Sequence, residues 1–169
     1  AICCVLGDAA RGQTSDPQIR FVDITQSSGV SFKHQDGSDG NRYLIELMGA
    51  GICSFDADRD GLVDLFLLNG YALSRGGVRA PTDTTSSQLF RNRGSLIFSD
   101  HTIQSGIQVA GYALGVTAGD YNHDGFSDLY VSNYGTNVLL RNNGDGTFDD
   151  VSKEAGLQGT VEFGAGVTF

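Results

Sequence analysis

The stretch FDADRDGLVDLFLLNG, residues 55–70, puts four aspartates into nine residues and then runs straight into a mostly apolar segment. Carboxylates this close repel one another, and the repulsion opposes compact folding unless a positive charge lies among them. Asp56, Asp58, Asp60 and Asp64, with Gly61 before the last, have the spacing D-x-D-x-D-G-x-x-D. Alternate residues of a tight turn can direct their side chains into one cavity, and glycine at the sixth position admits the bend. Oxygens at positions 1, 3, 5 and 9, with the backbone carbonyl of Leu62 at position 7, make a cage for a hard cation. Calcium suits it best, because it accepts many oxygens in a flexible arrangement.

A second copy follows in GDYNHDGFSDLYVSN, residues 119–133. Asp120, Asn122, Asp124 and Asp128 occupy the ligand positions, Gly125 the bend and Phe126 the carbonyl position. Asn122 still offers a carbonyl oxygen. Two copies in one short chain predict two calcium sites. Neither is an EF-hand, which needs a bidentate Glu at position 12 and helices on both sides. Position 12 is Leu67 in one loop and Val131 in the other, and the short segments after the loops have the β-branched and aromatic content of strands.

The loops belong to a longer repeat. Setting Asp56 on Asp120 brings Gly51, Ile52 and Asn69 onto Gly115, Val116 and Asn133. Further on, LFRNRGSLIFSDHTIQSGI (89–107) matches LLRNNGDGTFDDVSKEAGL (139–157), with Arg91 on Arg141 at a shorter offset. The first repeat therefore carries an insertion within YALSRGGVRAPTDTTSSQ (71–88), whose composition reads as a surface loop. FVDITQSSGV (21–30) is a partial third copy, and FGAGVTF at the C-terminal end matches MGAGICSF (48–55). The chain reads as a fragment cut within a repeat. Each full repeat holds four short strands, the content of a β-propeller blade. A β-sandwich and a linear β-solenoid are the alternatives. The expected fold is all-β, with about two and a half four-stranded antiparallel blades of a seven- or eight-bladed propeller.

These motifs resemble FG-GAP/VCBS repeats, the calcium-loop blades of integrin α-chain propellers. The opening from Phe21 to Gly70 resembles more closely the secreted ASPIC/UnbV and cartilage-acidic-protein group. The resemblance implies that Asp56, Asp58, Asp60 and Asp64, then Asp120, Asn122, Asp124 and Asp128, are calcium ligands. The internal repeats and the front segment divide the chain into an expected signal-peptide remnant and linker (1–20), an N-terminal strand segment closing the last blade (21–48), repeat 1 (49–112), repeat 2 (113–162) and the start of a third (163–169). The C-terminal ASPIC segment of that group is not in this sequence.

The 169 residues carry a net charge of −9 and no basic stripe, which argues against nucleic-acid binding. AICCVLGDAARGQ at the front resembles the tail of a signal peptide cut after Ala9, with an ordinary strand or a lipoprotein cysteine at Cys3 or Cys4 as alternatives. Cys53 reads as a small buried hydrophobe. No apolar segment is long enough for a membrane-spanning helix. His34, His101 and His123 are isolated in sequence, and no nucleophile motif, phosphate loop or zinc spacing occurs. Arg59 and His123, at position 4 of the two loops, should point away from an ion. Arg91 and Arg141 read as structural residues holding a loop or a neighbouring blade.

Two functions are carried forward. One is a non-catalytic, calcium-binding extracellular scaffold, secreted, periplasmic or on the cell surface. It would bind an unidentified protein or glycan and be completed by further blades of the same chain. The other is the propeller part of a secreted carbohydrate-active lyase or hydrolase whose active site lies elsewhere.

Overall fold

Each acidic loop turns the chain back between two antiparallel strands. In the computed structural model the described residues are 3–6, 19–38, 40–74, 77–79, 87–157, 162–164 and 167–168. Most of the signal-remnant segment, residues 75–76 and 80–86 of the insertion, and parts of 163–169 lie outside them. The strands are β1 (Cys3–Leu6), β2 (Arg20–Asp23), β3 (Ile52–Phe55), β4 (Asp64–Leu67), β5 (Ala72–Ser74), β6 (Gly77–Arg79), β7 (Gln88–Asn92), β8 (Phe98–Asp100), β9 (Tyr112–Gly119), β10 (Asp128–Gly135), β11 (Val138–Asn142), β12 (Phe148–Asp150) and β13 (Glu162–Phe163). Helix is confined to a 3-10 turn at Leu44–Leu47 and one α-turn at Thr102–Ser105.

The protein is an all-β fold of two four-stranded antiparallel blades. The first sheet runs β3-β4-β7-β8. The second has β9, β10, β11 and β12 in sequence, and β13 adds a short pairing at the end of β10. The acidic loops join β3 to β4 and β9 to β10. The insertion, read from composition as a loop, contains the hairpin β5–β6, in which Ala72 pairs with Arg79.

Strand register decides which residues share a face. In the first sheet Cys53, Phe66 and Leu89 lie in one row. In the second, Val116, Val131 and Val138 form one row, and Ala118, Leu129 and Leu140 another. These two faces meet, and their side chains form a single core with Phe55, Ala57, Leu68 and Phe148. Phe55 and Phe148 cross the junction edge to face, with ring centroids 6.3 Å apart. Full burial of each such side chain contributes about 1.5–3 kcal/mol.

The opposite face of the first sheet has the same apolar pattern without the same burial. Leu65 and Leu67 are the repeat equivalents of Leu129 and Val131. The latter pair is fully buried, whereas Leu65 and Leu67 are half-buried and Ile52 beside them is 58% exposed. The far face of the second sheet shows the converse. Tyr130 is half-exposed there, while its equivalent Phe66 is fully buried.

The partial copy at 21–30 touches the first blade as 98–107 touches the second. Ser28 accepts a hydrogen bond from its own turn's Val30 N–H at 3.2 Å, as Ser105 does from Ile107 at 3.3 Å. Ser28 also offers its carbonyl to the Phe98 N–H at 2.6 Å, and Gly106 packs beside the Phe148 carbonyl. Phe98 and Phe148 are 6% and 5% exposed, but Phe21, at the same place in the pattern, is 70% exposed. Strand β2, which contains Phe21, belongs to neither four-stranded sheet and pairs with β1.

This burial contrast predicts unequal effects at equivalent positions. Leu129→Ala should lower the stability of the chain by about 3 kcal/mol, and Leu65→Ala by about 1 kcal/mol. Urea denaturation of the two variants checks this. Equal losses would mean that the two faces are packed alike.

Candidate metal centre

The two loops fold the same way. Position 4 is left-handed in both, at φ 60° for Arg59 and 62° for His123, and so is the glycine at position 6, at 82° for Gly61 and 89° for Gly125. Only glycine takes that conformation at no cost, which explains its place at the bend. The first aspartate then caps the turn. Asp56 accepts the N–H groups of Asp60 at 3.2 Å and Gly61 at 2.9 Å, and Asp120 those of Asp124 at 3.1 Å and Gly125 at 2.8 Å. The fifth-position aspartates accept the next N–H but one, from Leu62 to Asp60 and from Phe126 to Asp124.

The ninth-position aspartates are fully buried and tie the loop to the sheet. Asp64 accepts the Ala57 N–H at 2.9 Å and the Asn92 N–H at 2.8 Å. Asp128 accepts those of Tyr121 at 3.2 Å and Asn142 at 2.8 Å. Burial pushes the carboxyls of both above the usual range. The two N–H bonds counter that shift, and the neighbouring aspartates add to it. Asp124 moves the other way, because the Phe126 N–H and the Asn122 amide favour its charged form.

Position 3 distinguishes the loops. In the first, carboxylate oxygens of Asp56, Asp58 and Asp64 lie within 4.8 Å of one another. Asp60 stands outside this trio, with Oδ2 3.6 Å from Arg91 Nη2. Arg91 also contacts Asp58 directly. In the second loop Asn122 replaces the central carboxylate, and its amide donates to Asp124 at 2.7 Å. Arg141, the repeat partner of Arg91, pairs instead across the strands with Asp149 at 2.9 Å. The two arginines, read alike from sequence, thus have different partners: the first loop has the Asp58 carboxylate where the second has Asn122, and the residue across from the arginine is Ser99 in the first repeat and Asp149 in the second.

The first loop passes a direct test for a cation. Asp58 Oδ1 is buried and accepts no hydrogen bond, beside two further carboxylates. Arg91 meets the other oxygen of the same carboxylate, so the guanidinium supplies part of the positive charge and Oδ1 is the atom left for an added cation. The oxygen-only donor set is that of a hard divalent ion. The N–H groups of Leu62 and Phe126 are engaged by aspartates, and their carbonyls remain available at position 7.

Two contributions were missed in sequence. The asparagine after each arginine carries the structural link, since Asn92 and Asn142 hold the buried aspartates through their N–H groups. Its recurrence in both R-N pairs was the available signal. Arg59 leaves its own loop and lies over the Phe126 ring, 5.0 Å from the centroid. His101 is a half-buried neighbour of Arg91 and Arg93, and burial followed by those charges pushes its pKa down.

Repeated four-stranded blades, each with an acidic D-x-[DN]-x-D-G loop between its first two strands, define a class of propeller repeat. The family model for FG-GAP-like repeats matches residues 56–131 and 120–169. The chain belongs to the FG-GAP-like repeat family. It is similar to cartilage acidic protein 1 of Xenopus tropicalis, at 29% identity over 122 residues, covering 70% of this chain and 18% of that protein. Human cartilage acidic protein 1 is 28% identical over 120 residues, with the same coverage. The chain therefore spans less than a fifth of the length of these relatives.

The geometry distinguishes Asp64, which holds two backbone N–H groups, from Asp58, whose partner is the Arg91 side chain. In the presence of a chelator, Asp64→Ala leaves the Ala57 and Asn92 N–H groups without acceptors and should cost about 2–4 kcal/mol. Asp58→Asn under the same conditions should change stability by less than about 1 kcal/mol. Urea melts in chelator distinguish the two; a large loss for Asp58→Asn would mean that its carboxylate is itself structural.

Proposed function

We propose that this chain is part of an extracellular β-propeller scaffold whose two acidic loops each bind one calcium ion. The observation that carries the reading is the cluster of Asp56, Asp58 and Asp64 around a buried carboxylate oxygen with no donor. The first ion would be held by Asp56, Asp58, Asp60, Asp64 and the Leu62 carbonyl. The second would be held by Asp120, Asn122, Asp124, Asp128 and the Phe126 carbonyl. The ion supplies the positive charge that lets these carboxylates lie together, so it serves folding and not chemistry. Modules of this kind fill at millimolar calcium, a level that favours a secreted, periplasmic or cell-surface location. No helix among the described residues is long and apolar enough to cross a membrane.

Further blades of the same polypeptide would cover the apolar face of Ile52, Leu65 and Leu67 and complete the sheet to which β2 belongs. The exposure of Phe21 supports that reading. The scaffold would present its blade loops to a protein or glycan ligand.

Calorimetric titration with calcium and magnesium tests the metal reading. Two calcium ions should bind, and magnesium more weakly, because it demands a tighter octahedron and dehydrates reluctantly. Equal affinity for magnesium, or no uptake, would overturn the assignment. Arg91→Gln removes a cation from the first loop and should raise calcium affinity there by about tenfold, leaving the second loop unchanged.

A further inference from the structure

The two loops are wired together through one asparagine. Asn142 donates its side-chain Nδ2 to the Ala57 carbonyl of the first loop at 2.8 Å, and its backbone N–H to Asp128 of the second at 2.8 Å. Ala57 donates its own N–H to Asp64. One residue of backbone and one asparagine therefore separate the ninth-position carboxylates of the two loops. Ala57 and Asn142 are both buried, so water cannot replace these bonds.

A second contact runs in parallel. Arg59, at position 4 of the first loop, covers the ring of Phe126, whose carbonyl stands at position 7 of the second. The tip of that ring abuts Gly144, where a Cβ would come within 2.5 Å of it. Phe126 thus touches both the first loop and the hairpin that follows Asn142. In the first repeat, Asn92 makes the corresponding bond to Asp64 and gives its side chain to the Val63 carbonyl at 3.1 Å. The Asn142–Ala57 bond is the added, inter-repeat link.

We propose that the two loops bind calcium with positive cooperativity, a statement that rests on the calcium reading above. An ion in the first loop fixes Asp64, and with it Ala57 and Arg59. Those groups hold Asn142 and Phe126, so the second loop loses less conformational freedom when its own ion arrives. Linkage requires the effect to be equal in the reverse direction.

The test is calcium calorimetry on the 169-residue chain and on two single-site variants, Asp60→Ala for the first loop and Asp124→Ala, at the same position, for the second. The product of the two stepwise association constants of the unaltered chain should exceed the product of the single-site constants by about fivefold or more. Arg59→Ala, made in all three proteins, should bring that factor toward one. A contact that only stabilised the fold would leave the factor unchanged. Asn142→Ala should do the same where it folds, and the exposed Arg59 keeps the test decisive where it does not. Two calcium ions bound with a factor within about twofold of one would overturn the coupling and leave the calcium sites standing. No calcium uptake by the unaltered chain would overturn both.

Discussion

Everything in this structure hangs on a carboxylate buried at the foot of each acidic loop. Asp64 and Asp128 are removed from water, a position hostile to charge, and each is held by two backbone N–H groups. One N–H comes from the start of the loop and one from the third strand. The same atoms therefore close the turn, set the spacing of the second and third strands, and direct negative charge toward the other aspartates. The buried aspartates thus serve the fold directly, and the same oxygens would serve an ion.

Much of this was legible in the sequence, and the limit of legibility has a physical cause. The loops were readable because their ligands and glycine lie within nine residues, and short-range spacing survives any fold. Four strands per unit followed from comparing the chain with itself. The clasp was not readable, because Asn92 and Asn142 stand 28 and 14 residues from the aspartates they hold. Nor was the divergence of Arg91 and Arg141. Their local sequences are alike, and only the folded chain shows that one faces Asp58 while the other finds Asp149. The hairpin β5–β6 was hidden by the loop-like composition of the segment around it.

The candidate site shows the same division between local and tertiary information. Asp56, Asp58 and Asp64 converge as the motif implies, but Asp60 is drawn toward Arg91. Position 4 was expected to avoid the ion. What the sequence could not disclose is where that side chain goes, because the Phe126 ring beneath Arg59 belongs to the next repeat.

The two faces of a repeat are not alike, and this has a consequence for assembly. The row of Leu129 and Val131 on one blade fits the row of Phe66 and Leu89 on the blade before it. The two blades therefore carry a half-covered apolar side at one end, around Ile52 and Leu65, and a half-exposed aromatic side at the other, around Tyr130. Contacts of this heterologous kind cannot be satisfied by a two-fold dimer. Each further blade of this kind would meet the one before it head to tail, its leucine and valine side against the preceding aromatic side.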